Sequence, residues 1–220
     1  MSSQRARDDD GRWYITEDSY RKLTLAKGSI VYCGDVVATG VTLESGLEAL
    51  TQAIVKSGGS IRYFVFFTIG CHKTEKIFEK YYKIWKETFD DFEGIDVYYI
   101  EGKFHLADSK TPVSIKLQGT DLLRRDSLLM PEFINAMNRD LAAALERCTI
   151  YDAGSRAFDV NEYTEDVVEY WQQVLELAHG GMTAEQYLEE RFPECSESLR
   201  LIAKEADLKD ICAQRISLLS

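Results

Sequence analysis

Residues 28–47 have the sequence GSIVYCGDVVATGVTLESGL, and this stretch decides the predicted fold. An apolar run at positions 30–33 leads through Asp35 into a turn of small residues, ATGVT, at positions 38–42. A strand that ends in such a turn and opens a helix directs backbone N–H groups and the positive end of the helix dipole toward one point. We therefore expect a pocket for an anion at 38–42.

The residue types in this stretch suit that pocket. Gly40 lets the backbone bend or approach a ligand closely, and the hydroxyls of Thr39 and Thr42 can donate to phosphate oxygens. Asp35 is predicted at the carboxyl end of the strand, where open α/β sheets bind their ligands. The alternative is an ordinary buried strand followed by a helix that Asp35 and Thr42 cap, with Gly40 in a tight turn. The helix itself is predicted by an apolar face that consists of Leu43, Leu47, Leu50 and Ile54.

The same stretch resembles the motif with which type I phosphoribosyltransferases bind phosphoribosyl pyrophosphate (PRPP). In that family an apolar strand leads into two adjacent acids, two or three variable residues and a Thr-Gly-x-Thr turn. The resemblance implies a parallel α/β sheet flanked by helices. It also implies that the 5-phosphate of PRPP lies against Ala38, Thr39, Gly40, Val41 and Thr42. Asp35 would hold the ribose hydroxyls and, through them, a magnesium ion.

Two features depart from the family pattern. Position 34, the first acid of the pair, is Gly34, and position 38, an acid near the base in some of the purine enzymes, is Ala38. A dedicated catalytic base at position 38 is therefore not expected. In addition, the family places about half of the sheet and the pyrophosphate loop before the motif, whereas 27 residues precede Gly28 here. Three explanations stay open: a partner chain supplies that half, the architecture is rearranged, or the site is a structural relic.

These features lead to two functional hypotheses. The first is a subunit that binds PRPP or a nucleotide within a protein complex, for example in a bacterial conflict or defence system. It would be a phosphoribosyltransferase only together with a partner chain, because the phosphate turn supplies binding but not stabilisation of an oxocarbenium-like transition state. The second is a catalytically inactive regulatory or assembly module that keeps the fold to sense a nucleotide or hold a partner. No catalytic residue is assigned.

Composition narrows the class of protein. The chain has 220 residues, of which 45% are hydrophobic, and a net charge of −11. That charge opposes direct binding to nucleic acid, which depends on Lys and Arg, but it suits a basic partner protein. The polar N-terminus lacks a signal peptide and the longest apolar run, 63–69, is too short for a bilayer, so we expect a cytoplasmic protein without a membrane segment. The five cysteines have irregular spacing and predict free thiols rather than disulfides or a zinc site.

Hydrophobic periodicity divides the chain into a polar tail at 1–12, an α/β domain at 13–150 and a helical extension at 151–220. Within the α/β domain, an aromatic and β-branched run at 61–69 predicts a buried parallel strand that closes a βαβ unit. Further elements are predicted as a short helix at 17–25, a helix at 74–89, strands at 96–101 and 113–117, and one helix at 131–147. The extension is predicted to contain only helices, which begin near 161, 183 and 196.

Weaker candidate residues lie outside the motif. Cys71 and His72 follow the buried strand, and a thiolate–imidazole pair there competes with a more ordinary strand-to-helix turn. His72 or Lys73 would contact a base or phosphate if the ligand cleft extends that far. The segment 103–125 is interpreted either as a lid over the cleft or as a solvated connection. Its candidate charged residues are Lys103, Asp108, Asp121, Arg124 and Arg125, followed by Asp126, whereas His105 and His179 have no companions at metal-ligand spacing.

Overall fold

A computed structural model describes residues 2–7, 13–19, 24–108, 110–115, 117, 122–147, 149–150 and 160–220. Within these ranges, side chains are described from residue 24 onward, except at positions 122, 147 and 150. The chain forms two compact units, which comprise residues 1–103 and 104–220. The boundary that we predicted at 150 stays a prediction. Within the described residues, no helix is both long enough and apolar enough to cross a bilayer.

The first unit contains a βαβαβ arrangement preceded by a hairpin. The hairpin pairs β1 (Ser2–Arg7) with β2 (Trp13–Ser19) antiparallel and forms its own two-stranded sheet. The remaining elements follow in chain order as β3 (Ser29–Val37), α1 (Val41–Ser57), β4 (Ile61–Cys71), α2 (Lys73–Thr88) and β5 (Gly94–Leu106), the last of which crosses into the second unit. β3 and β4 are parallel, so the predicted βαβ unit is confirmed.

Helix α1 ends at two consecutive glycines, Gly58 and Gly59. Gly58 has φ 71° and ψ 19°, a left-handed conformation that glycine adopts at low cost. Its amide donates to the carbonyl of Val55, and the amide of Gly59 donates to the carbonyl of Ile54. These bonds satisfy carbonyl groups that a helix end otherwise leaves without partners.

The core of the first unit lies between one face of the sheet and the two helices. Phe64 and Phe66 on β4 point inward and pack with Phe78 and Trp85 of α2, at ring-centroid distances of 5.0–5.7 Å. Aromatic side chains bury more apolar area than any others, so this cluster fixes α2 against the strand.

The opposite face of the same strands is apolar and exposed, and we call it the open face. Along each strand, the residues of this face alternate with the core residues. Across the two strands, Tyr32 lies opposite Val65 and Gly34 lies opposite Phe67. Phe67 stacks on Tyr98 of β5 with ring centroids 5.3 Å apart. The exposed large side chains of this face are Ile30, Tyr32, Val36, Phe67, Tyr98 and Ile100.

The second unit is mostly helical. It contains β6 (Leu122–Leu129), α3 (Pro131–Met137), α4 (Leu141–Arg147), β7 (Thr149–Ile150), α5 (Val160–His179), α6 (Ala184–Arg191), α7 (Glu197–Glu205) and α8 (Leu208–Leu219). β6 and β7 are antiparallel, and the Ala107 amide after β5 donates to the Leu123 carbonyl at 2.9 Å. The protein is therefore α/β with a mixed sheet flanked by helices, and the predicted parallel pairing is confirmed for β3 with β4.

The four C-terminal helices share their core with earlier residues of the same unit. The phenol of Tyr170 donates to the carbonyl of Leu145 at 3.2 Å and lies 2.9 Å from the phenol of Tyr187. Arg191 is 2% exposed and its Nη2 donates to Thr149 Oγ1 at 3.3 Å. The predicted helices of the extension are confirmed, and a capping box formed by Thr183 and Gln186 begins α6 at the predicted position.

Several predicted elements are wrong. Residues 2–7 of the predicted polar tail form β1, and 17–19 extend β2 instead of beginning a helix. The predicted strand at 113–117 is not formed at the described positions 113–115 and 117, whereas β6 follows at 122–129. The predicted helix at 131–147 is two helices, α3 and α4, separated by 138–140.

Candidate functional site

The candidate site begins where β3 ends at Val37 and α1 begins at Val41, so the turn consists of residues 38–40. Gly40 is the N-cap of α1, with φ 82° and ψ −4°. The first N–H groups of a helix have no acceptor within the helix, and a glycine N-cap offers no side chain to accept from them. Val41 and Thr42 are the first two helical residues. The alternative in which Asp35 and Thr42 cap the helix is therefore wrong.

Packing as well as conformation favours glycine at position 40, because the end of the Ile77 side chain would have to shift to make room for a Cβ atom. A Cβ atom built there would lie 2.6 Å from Cδ1 of Ile77 on α2, closer than carbon atoms approach each other. Ile77 therefore holds the inner side of the turn and positions the start of α1 against α2.

The turn is also tied to the end of the neighbouring strand. The Cys71 thiol donates to the carbonyl of Ala38 at 2.8 Å, and both residues are buried. Burial raises the pKa of Cys71, so this thiol stays protonated near neutral pH and keeps its donor. Cys71 is therefore a structural contact of the turn rather than half of a thiolate–imidazole pair.

Thr39 has an unusual hydroxyl. Its Oγ1 is shielded from solvent and has no hydrogen-bond partner. An unsatisfied buried hydroxyl costs free energy, and such groups often mark a ligand or water position. Thr39 immediately precedes the N-cap of α1, so its hydroxyl and the first amides of that helix lie in the same short segment.

Asp35 and Gly34 lie near the end of β3, and successive strand residues point to opposite faces. Val31 and Val37 pack in the core of the first unit. Asp35 is an even number of positions from both, so its side chain lies on the same face of β3 as theirs. Its exposed carboxylate accepts from the amide of Val36 at 2.8 Å, and its carbonyl accepts from Thr68 Oγ1 at 2.8 Å. An acid at position 34 would lie on the open face instead.

A charged group lies at the end of β4, next to the turn. Glu75, in the first turn of α2, accepts from Lys103 Nζ at 2.5 Å and has its Oε2 3.8 Å from His72 Nδ1. The hydrogen bond from Lys103 lowers the pKa of Glu75. Burial and the Glu75 charge raise the pKa of the neighbouring Tyr99 phenol to about 12. Lys103 therefore belongs to β5 and to this group, and not to a lid.

The other charged candidates of 103–126 lie in the second unit. Arg125 of β6 donates to the Glu190 carbonyl at 2.5 Å, and the guanidinium of Arg124 lies 5.0 Å from the centre of the Phe104 ring. Asp108 accepts from the amides of Lys110 and Thr111 in a local turn. β5 and β6 include positions 103–106 and 122–125, so Arg124 and Arg125 lie in a strand and not in a lid. For the residues between the two strands, the lid interpretation stays a prediction.

The remaining candidates are dispersed. Asp126 is exposed with φ 50°, His105 is exposed on β5, and His179 is the last residue of α5. Asp121 lies outside the described residues.

The described part of the chain contains no group of three or more His, Cys, Asp or Glu residues that could hold a metal ion. Asp35 is one carboxylate, and Mg²⁺ in phosphate sites is commonly held by one or two carboxylates together with the phosphates of the ligand. The described residues therefore do not form a magnesium site from protein ligands alone.

Two residues that shape the site were not predicted from the sequence. Ile77 lies in the helix predicted at 74–89, but nothing in the apolar periodicity of that helix distinguishes the position that meets Gly40. Glu75 lies on the polar side of the same helix, and its partners Lys103 and His72 are 28 and 3 positions away. The sequence did offer one signal for Glu75: it is a charged residue in the first turn of a helix that follows a candidate ligand-binding strand.

Comparison with known proteins adds no relative. No family model matches the sequence, and neither the curated proteins nor the solved structures contain a significant match to it.

Proposed function

We propose that residues 38–42 bind the phosphate group of a phosphorylated ribose, in PRPP or a nucleotide, within a subunit of phosphoribosyltransferase type. One observation carries the proposal: the solvent-shielded, unpartnered hydroxyl of Thr39 next to the glycine-capped N-terminus of α1. A phosphate oxygen would satisfy both the hydroxyl and the amides at a helix end that favours negative charge.

Asp35 supports the ribose part of the ligand. Its carboxylate is exposed on the face of β3 that carries the turn, where it can accept from the 2- and 3-hydroxyls of a ribose. Mg²⁺ would enter with a pyrophosphate-bearing ligand. The parallel β3–α1–β4 unit agrees with the sheet type that the resemblance implies.

Calorimetry with ribose 5-phosphate, and with PRPP in the presence of Mg²⁺, tests the proposal. Thr39→Val removes one hydroxyl and should raise the Kd for both ligands roughly tenfold or more, since a hydrogen bond to a charged group is worth about 1.5–3 kcal/mol. Asp35→Asn should weaken ribose 5-phosphate but leave inorganic phosphate binding unchanged. Thr88→Val is the matched control, because Thr88 ends α2 and donates to the Ile84 carbonyl at 2.6 Å.

Two outcomes would overturn the proposal. If the intact protein binds neither ligand, alone or with its natural partner, residues 38–42 are an ordinary βα turn. If Thr39→Val and Thr88→Val affect binding equally, the ligand lies elsewhere.

A specific observation favours the second candidate, an assembly module. The open face carries six exposed large apolar side chains, and sheets of parallel strands usually bury both faces. We propose that another polypeptide covers it in the functional complex. Removing residues 151–220 does not test assembly cleanly. It would also remove most of the core around Tyr170 and Trp171, so a loss of assembly could reflect unfolding of the second unit. Turnover of PRPP by the purified complex would argue against a purely structural role.

A further inference from the structure

The second unit contains a cavity unrelated to the turn at 38–42. It has a volume of about 200 Å³ and lies between β6, α3 and residues 192–196. Leu129, Met137 and Phe192 form an apolar part of its lining. Cofactors and drug-sized ligands occupy larger pockets, of roughly 300–1,000 Å³, so this cavity matches a single side chain better.

The polar lining is arranged by hydrogen bonds within the unit. Ser196 Oγ accepts from the Leu199 amide at 3.3 Å and donates to Asn138 Oδ1 at 2.6 Å. This bond orients the Asn138 amide so that its NH₂ group is available as a donor. On the other side, Glu194 Oε1 accepts from the Ser127 amide at a long 3.4 Å. Among the described lining residues, Glu194 is the one with an ionisable side chain.

The unit that contains the cavity is strongly negative. Residues 104–220 contain 12 Lys and Arg against 21 Asp and Glu, a net of −9 out of −11 for the whole chain. Two nearby basic residues are engaged elsewhere: Arg125 with the Glu190 carbonyl, and Arg200 with the Pro193 carbonyl. An apolar cavity with one carboxylate in an acidic unit is complementary to a long cationic side chain.

We propose that this cavity binds an arginine side chain from a basic segment of a partner protein. The aliphatic stem would lie against Leu129, Met137 and Phe192, the guanidinium would bind the Glu194 carboxylate, and the Asn138 amide would donate to a carbonyl of the same peptide. Arginine is preferred over lysine because its planar guanidinium offers several donors to one carboxylate and loses less on dehydration. Ile134, exposed at the rim, would extend the apolar contact.

The test is an NMR titration of the full chain with N-acetyl-arginine amide, compared with N-acetyl-citrulline amide, a neutral molecule of nearly the same shape. We expect shifts at the Ser127 amide and the Asn138 side-chain amide, and a Kd about tenfold lower for the arginine compound. Glu194→Gln should abolish that preference. Glu197→Gln, which removes a nearby exposed charge that does not line the cavity, should preserve it.

Three results would overturn the inference: no saturable shifts at these residues, equal affinity for the citrulline compound, or an unchanged arginine preference in Glu194→Gln. None of these measurements involves a phosphate ligand. A failure of the proposed phosphate site therefore leaves this inference unaffected, and the converse also holds.

Discussion

At the scale of single residues, two independent constraints act on Gly40. Its φ of 82° lies in the left-handed region, which costs other residues roughly 1–2 kcal/mol. Its missing side chain also leaves the space that Ile77 Cδ1 occupies. Gly58, at the other end of α1, has a similar φ of 71°, but no atom lies within 4 Å of the position that a Cβ would take there. A substitution at Gly58 therefore measures backbone strain alone, whereas the same substitution at Gly40 measures strain together with steric contact.

We predict that Gly40→Ala lowers the free energy of unfolding by about 2–4 kcal/mol, because strain and overpacking add. Gly58→Ala should cost only the strain, about 1–2 kcal/mol. Urea denaturation of both variants measures the difference.

A double-mutant cycle identifies the contact. Ile77→Val removes the Cδ1 atom, so Gly40→Ala should cost less in the Ile77→Val background than in the wild type. Strict additivity of the two substitutions would contradict the proposed contact between Gly40 and Ile77.

At the scale of elements, the sequence pattern predicts what local periodicity controls. The β3–α1–β4–α2 order followed from an apolar strand, a small-residue turn and helical spacing, and it is confirmed. β6 was missed because Arg124, Arg125 and Asp126 interrupt its apolar pattern. Arg124 instead lies over the Phe104 ring, and Arg125 donates to the Glu190 carbonyl, which is 65 positions away. Contacts of that range leave no periodic signal.

The division of 131–147 into two helices has a local cause. The Asp140 carboxylate accepts from the Ala143 amide at 3.1 Å and so acts as an N-terminal cap of α4. Asn138 bonds to Ser196, which fixes the connection between α3 and α4 against the start of α7.

Asp140→Ala should therefore lower the free energy of unfolding by about 1 kcal/mol, because the cap is lost. Asp90→Ala, at an exposed position outside helices and strands, is the control and should change stability by less than about 0.5 kcal/mol. Thermal or urea unfolding compares the two, and an equal effect would show that the Asp140 cap contributes nothing.

At the scale of the whole molecule, charge and apolar surface are distributed unevenly. Residues 104–220 hold most of the negative charge, whereas the open face of the first unit carries the exposed apolar cluster of β3, β4 and β5. Composition alone predicted an acidic protein with a protein partner, but it could not locate either feature, because exposure depends on which strand face the helices cover. The two features would recognise different parts of a partner: a basic segment and an apolar surface.

The open face leads to a prediction for the isolated protein. Tyr32 is 68% exposed and Tyr98 is 51% exposed, so the native chain should bind the dye ANS, which fluoresces on exposed apolar surface. The combined substitutions Tyr32→Lys and Tyr98→Lys should reduce that fluorescence severalfold and change the free energy of unfolding by less than about 1 kcal/mol, since exposed side chains contribute little to stability.

Leu218→Lys, at an α8 side chain that is 75% exposed, is the control and should leave the dye signal largely intact. A large loss of stability in the double variant would mean that these tyrosines are buried in solution, and an unchanged dye signal would place the binding surface elsewhere.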